Sequence, residues 1–211
     1  MIRGVYLVSG LRFHKTFDEY LNAVEAALKA GIKIFQLRVK DELKDKDHIF
    51  LAHRVRELTK KYNALFIIND RPDIALLCGA DGLHLGPKDM SVHDARQILD
   101  KEKIIGLSCH SEEDVMNALN HDITYLSVGP VFKTDSKKSP DKIVGLDLIN
   151  YALENTHLPV VAIGGIGLKE IPNVLSTGVK SVGVIRAVME QKNIYNAVKE
   201  YISIFDQNLL K

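Results

Sequence analysis

Short runs of β-forming residues recur eight times along this chain, each followed by a stretch with helical spacing. The runs fall at 4–9, 32–38, 64–69, 82–85, 104–108, 125–128, 159–163 and 181–185. Strands separated by helices cannot pair as tight hairpins, so they are expected to lie parallel, joined by crossovers. Most of the runs are continuously apolar rather than alternating, as strands covered on both faces should be. In the first intervening stretch Phe17, Tyr20, Leu21, Val24, Ala27 and Leu28 follow the i, i+3, i+4, i+7 pattern, with Thr16 placed as N-cap and Gly31 as stop. In the second, Ile49, Phe50, His53, Val55 and Leu58 form the expected apolar face, ending near Lys60 and Lys61, where cations suit the helix dipole. Later helices are expected at 72–78, 92–99, 111–119, 146–154, 168–176 and 193–205. Eight strands alternating with eight helices predict an α/β fold, a single (β/α)8 TIM barrel over residues 1–211. An open doubly wound sheet is the alternative, and no Pro-, Gly- or Ser-rich linker divides the chain.

Composition narrows the function classes. At 46% hydrophobic and 26% charged residues the chain can bury a core and is not expected to be disordered. Lys and Arg number 28 against 27 Asp and Glu, so no global basic field calls for nucleic acid. Two cysteines, Cys78 and Cys109, are too few for a disulfide framework or a four-cysteine metal site, which suits a reducing compartment. The segment MIRGVYLVSG lacks the features of a signal peptide, and no uncharged apolar run reaches the roughly 18 residues of a membrane span. A soluble cytoplasmic protein is expected, binding small molecules and neither nucleic acid nor membrane. Its oligomeric state is not legible, since any helix face can serve as an interface.

A barrel places functional residues at the C-terminal ends of its strands and in the loops beyond. Gln36, Arg38 and Lys40 alternate with period two at such an end and are expected to share one side, an anion cradle or merely an ion pair and the start of a solvated loop. Asp70, after Asn69, and Asp89 follow neighbouring strands; adjacent loops can bring them together as oxygen ligands for Mg²⁺. Alternatively Asp70 caps the helix at Pro72 and Asp89 belongs to the turn that begins at Gly86. The longest irregular stretch, 129–144, holds Phe132, Lys133, Thr134, Asp135, Ser136, Lys137 and Lys138, hydroxyls and cations that suit phosphate or simply a solvated loop. Gly164, Gly165 and Gly167 after the seventh strand, with Gly183 to Arg186 after the eighth, occupy the usual barrel phosphate site, though not as a dinucleotide fingerprint. His84 reads as a hydrogen-bonded structural histidine, and His110 has no metal-ligand spacing. Nothing places a base beside Cys109, so no cysteine nucleophile is expected.

In order and position these motifs resemble thiamine phosphate synthases. The signatures are QLRVK at 36–40, INDRPDIAL at 68–76, ADGLHLGPKD at 80–89, GLSCH at 106–110, GPVFKTDSKK at 129–138 and VAIGGI at 161–166. The resemblance runs from Gly4 to the segment around Arg186 and Ala187. It implies a transferase that joins hydroxymethylpyrimidine diphosphate to hydroxyethylthiazole phosphate, giving thiamine phosphate and pyrophosphate. By that likeness Gln36, Leu37, Arg38, Val39, Lys40, Asn69, Ser108 and Lys137 would meet the pyrimidine diphosphate. Of these, Arg38, Lys40, Ser108 and Lys137 would act in catalysis. Asp70 and Asp89 would hold Mg²⁺, while Thr134, Asp135, Ser136, Gly165, Ile185 and Arg186 would meet the thiazole phosphate. Two positions depart from the family's usual pattern: Ser136 where Thr is usual, and Arg186 where Ser is usual. The alternatives are a thiazole tautomerase on the same barrel, a phosphosugar isomerase or epimerase, and a non-catalytic binder of thiamine precursors. The tautomerase likeness would want a histidine after Gly129, where this chain has Pro130.

Overall fold

A computed structural model describes residues 2–40, 43–134 and 142–209. The strands β1 (Gly4–Ser9), β2 (Ile34–Leu37), β3 (Leu65–Asn69), β4 (Gly82–Leu85), β5 (Ile104–Cys109), β6 (Tyr125–Val128), β7 (Val160–Ile163) and β8 (Ser181–Val184) form a closed barrel in chain order. Every pair is parallel, and β8 returns to β1 with Gly4 opposite Ser181 and Leu7 opposite Val184. Helices α1 (Phe17–Ala30), α2 (Asp45–Lys61), α3 (Pro72–Leu77), α4 (Val92–Ile98), α5 (Glu112–Ala118), α6 (Asp147–Asn155), α7 (Ile171–Leu175), α8 (Arg186–Met189) and α9 (Ile194–Leu209) connect and cover them. The expected TIM barrel is therefore the fold. No helix among the described residues is long and apolar enough to cross a membrane.

Local chemistry sets the helix ends. Thr16 Oγ1 accepts the Glu19 N–H at 3.2 Å and Glu19 Oε2 accepts the Lys15 N–H at 2.9 Å, reciprocal bonds that satisfy otherwise unpaired donors. Gly31, at φ +120°, ends α1 in a conformation that favours glycine. For α2 the expected face needs correcting: it buries His48, Leu51, Ala52, Val55 and Thr59, whereas Phe50 is 51% exposed and His53 is exposed. Small Ala52 and β-branched Val55 and Thr59 line the closer seam, and Phe50 stacks on Phe17 of α1 at 6.0 Å instead. Two short elements were not expected, a 3-10 turn at Leu11–Phe13 and α8. Neither is long enough to show a hydrophobic period. The expected helix at 168–176 contracts to α7, with Pro172 in its first turn.

Two apolar layers hold the barrel. One lies between strands and helices; the other fills the interior with Ile2, Tyr6, Val8, Ile34, Ile67, Tyr125 and Val161. Tyr125 can lie across the interior because β5 carries Gly106 beneath it; a Cβ there would clash with the phenol end of the Tyr125 ring. We expect Gly106→Ala to destabilise the fold by about 1–3 kcal/mol, the usual penalty for overpacking, read as a lower melting temperature.

Candidate active site

The strand ends open into a cavity of about 500 Å³. Gln36 and Arg38 enter it from β2, Asn69 from β3, His84 from β4, and Ser108 and His110 from the end of β5. Strand alternation turns Leu37 and Val39 the other way, into the core beneath the helices. Their side chains leave the candidate set, and any contact from them would be through the main chain. The cavity floor is a continuous hydrogen-bonded chain. Gln36 Nε2 donates to Tyr6 Oη at 2.9 Å, Tyr6 Oη lies 2.8 Å from Tyr125 Oη, and Tyr125 Oη lies 2.9 Å from His84 Nδ1. His84 Nε2 is 2.9 Å from Ser108 Oγ. Burial pushes both phenols well above their ordinary pKa, so they stay protonated. Asn69 Nδ2 is buried with no hydrogen-bond partner among the described residues, a donor whose desolvation a bound acceptor would relieve.

Beside the cavity the loops after β3 and β4 bring two carboxylates into contact. The Asp70 N–H donates to His84 O at 2.8 Å, and Asp70 takes the left-handed conformation, φ +64°. Such a φ at a non-glycine residue is a strained choice, tolerated best by Asp and Asn. Asp89 Oδ2 accepts the Gly86 N–H at 2.7 Å, so the turn expected there exists and presents the carboxylate. The capping role weighed for Asp70 is not found: Arg71 holds the N-cap position of α3 without a side-chain capping bond. The Lys40 ammonium pairs with Asp70 and lies 3.7 Å from Asp89 Oδ1. Burial first, and then the hydrogen bond and charge of Asp89, raise the Asp70 pKa to about 6 against the pull of Lys40. Asp89 is also raised by burial, but its bonds to Asp70 and Gly86 and the charge of Lys40 outweigh this and keep it below the usual range. Period two thus holds for Gln36 and Arg38 as cavity residues, whereas Lys40 belongs with the acids.

The far wall is rich in glycine, where backbone is open to the cavity. Gly164, Gly165, Gly167, Ile185 and Arg186 line the cavity there, with Lys133 and Thr134 from the loop after β6. That loop is pinned to the glycines: Val131 N–H donates to Ile163 O at 3.0 Å and Phe132 N–H to Gly164 O at 2.9 Å. His110 Nδ1 bonds Gly129 O at the loop's root. Arg186 Nε donates to Glu190 Oε1 at 2.8 Å, so this guanidinium carries a carboxylate with it on the cavity wall. Asp135, Ser136, Lys137 and Lys138 lie outside the described residues. Cys109 is buried, and burial followed by the charge of Asp114 pushes its thiol up to about 12. That suits a packing residue rather than a nucleophile. Sequence inspection passed over Tyr6, Tyr125 and Glu190. For the tyrosines a signal existed: a phenol on an otherwise apolar, buried strand must find a hydrogen-bond partner inside the barrel.

Three comparisons bear on the kinship of this chain. The family model described as thiamine monophosphate synthase matches residues 5–188. A thiamine-phosphate synthase of Prochlorococcus marinus is 44% identical over 188 residues, covering 89% of this chain and 54% of that relative's length. A thiamine-phosphate synthase of Dictyoglomus turgidum is 36% identical over 198 residues, covering 90% of this chain and 88% of the relative. Among solved structures, the thiamine phosphate pyrophosphorylase of Pyrococcus furiosus superposes with TM-score 0.88 at 34% identity, covering 98% of this chain and 96% of that one.

Proposed function

This chain belongs to the thiamine monophosphate synthase family, and from that premise we propose that it is a transferase joining hydroxymethylpyrimidine diphosphate to hydroxyethylthiazole phosphate, with release of pyrophosphate. The observation that carries the reading is the pair Asp70 and Asp89 with Lys40, set beside a cavity whose opposite wall is glycine backbone. One end suits a metal-bound diphosphate; the other suits a monophosphate held by N–H groups.

The residues fit a hard divalent cation. Two touching carboxylates offer only oxygen, and burial first, then Asp89, raise the Asp70 pKa, so a cation there would favour the ionised form that this site disfavours. No group of three or more His, Cys, Asp or Glu gathers among the described residues, so further ligands would be phosphate oxygens and water, as Mg²⁺ prefers. Asp70 and Asp89 would hold the ion, which when bound supplies charge neutralisation for the departing diphosphate.

The protein's own groups do the rest. Gln36, Asn69 and Ser108 orient the aminopyrimidine, with Asn69 Nδ2 gaining the partner it lacks among the described residues. Arg38 and Lys40, with Lys137, stabilise negative charge as the carbon–oxygen bond to the diphosphate breaks. The aminopyrimidine ring delocalises the cation left on its methylene carbon, and the thiazole nitrogen, its phosphate held by Thr134, Ser136, Gly165 and the 185–186 backbone, donates its lone pair to that carbon. Asp135 and Arg186 flank that phosphate. No protein nucleophile takes part, in keeping with the inert Cys109, and catalysis rests on positioning and electrostatics.

The test is pyrophosphate release by purified protein given both substrates, with Mg²⁺ and with EDTA. Release that requires the metal and matches thiamine phosphate formed, mole for mole, is the expected result. Binding of both substrates without turnover would make the protein a precursor-binding one. Isomerisation of a thiazole phosphate without the diphosphate would make it a tautomerase.

A further inference from the structure

The five-residue chain on the cavity floor has a direction. Each hydroxyl along it owns one proton, and an imidazole between two partners owns one proton when neutral. The Gln36 Nε2 amide can only donate, and it donates to Tyr6 Oη. Tyr6 is buried, and of the two partners of its Oη only Tyr125 Oη, 2.8 Å away, can accept, so Tyr6 donates its own proton there. Tyr125 then donates to His84 Nδ1 at 2.9 Å, which leaves the ring proton on Nε2 and directs it at Ser108 Oγ, also 2.9 Å away. A doubly protonated ring would return the Tyr125 proton toward Tyr6, where the amide already points, so the neutral ring fits the chain.

We propose that Gln36 fixes the direction of every proton in this chain, so that His84 is the Nε2–H tautomer and Ser108 turns its hydroxyl hydrogen into the cavity. Ser108 lines that cavity, and with Oγ accepting from His84 its hydrogen is committed to an acceptor on a bound substrate, a ring nitrogen or a phosphate oxygen. Tyr6, Tyr125 and His84 are then positioning residues that act through Ser108. They are anchored on four different strands together with Gln36, so the donor is held by the barrel and not by a loop.

The catalytic consequence rests on the function proposed above; the placement of the protons does not, and it is read without turnover. In ¹⁵N-labelled protein the His84 ring signals are identified by their absence from His84→Gln. The expected result is a protonated, pyrrole-type Nε2 and an unprotonated Nδ1. Gln36→Glu, recorded where the new carboxylate is ionised, replaces the donor by an acceptor and should reverse the chain, moving the proton to Nδ1. Gln36→Met, which offers neither, should leave both tautomers populated. An Nδ1–H ring in the unaltered protein overturns the proposal, and so does a spectrum unchanged in both Gln36 variants. For the positioning role, Tyr125→Phe should lower kcat about tenfold or more, as losing a group that orients a ligand does. In a Ser108→Ala background the same change should matter by less than about twofold, because the two act as one unit. An undiminished loss in that background refutes action through Ser108. An Nε2–H ring in a protein that forms no thiamine phosphate would remove the proposed function and leave the proton order standing.

Discussion

Asp70→Asn protein is expected to lose about two to three orders of magnitude in turnover and still to melt at a higher temperature than the unaltered protein. The activity loss follows from removing one of the two carboxylates assigned to the metal. The stability gain follows from linkage. The folded protein raises the Asp70 pKa from 3.8 to about 6, chiefly by burial and then by Asp89. Between those values the folded state binds more protons than the unfolded one, so stability falls as pH rises through that window. At neutral pH the ionised Asp70 therefore disfavours folding, by an amount of order 1–3 kcal/mol. Asparagine carries no such charge and accepts a left-handed φ as readily as aspartate does. Melting curves from pH 4 to pH 7, with and without Mg²⁺, test both halves. The unaltered protein should lose stability across that range and recover it with Mg²⁺, whereas the variant should do neither. A variant that melts lower at pH 7 while staying active would remove Asp70 from the metal site.

Gly165→Ala should strike the other end of the cavity. Gly165 sits at φ +68°, and a Cβ there would lie 2.5 Å from Lys133 O and 2.8 Å from Phe132 Cβ. Strain and clash together are expected to cost about 2–4 kcal/mol, part of it relieved by lifting the 129–134 loop from the glycines. Thr134 rides on that loop, so KM for the thiazole phosphate should rise by about tenfold to a hundredfold, corresponding to about 1.4–2.7 kcal/mol of lost binding. KM for the pyrimidine diphosphate should change far less. Gly79→Ala is the control: φ is +64° there too, but nothing lies within 4 Å of the added carbon, so stability should drop slightly and both KM values hold. Equal effects on the two substrates would separate Gly165 from the monophosphate.

The barrel was legible because its strands are buried on both faces, so short, mostly apolar runs between helical stretches stand out, at Gly82–Leu85 and Tyr125–Val128 to the residue. Caps were legible where one residue type serves one backbone need, as at Thr16 and Gly31. The face of α2 was less so, because Phe50 looks like core and in fact meets Phe17 at the surface, while the closer seam is built from small Ala52 and polar His48 and Thr59. Helix α8 was hidden by its length. In the site, Asp70 and Asp89 could be paired from their positions after neighbouring strands, since parallel order makes their loops neighbours. That Lys40 would leave the Gln36 and Arg38 side and join the acids was not legible, because period two ends with the strand at Leu37. Nor was the floor: bonds linking Tyr6 to Tyr125 span 119 residues and depend on barrel closure, which no local pattern encodes.

The two tyrosines that close the floor also decide traffic. A tube stoppered at mid-height has one doorway, so whatever enters between the strand ends leaves by the same opening. Two reactants admitted this way share one entrance, and the one seated against the stopper cannot depart while a second occupies the threshold. Solvent is likewise denied a back route to anything reactive held on the tyrosine ledge.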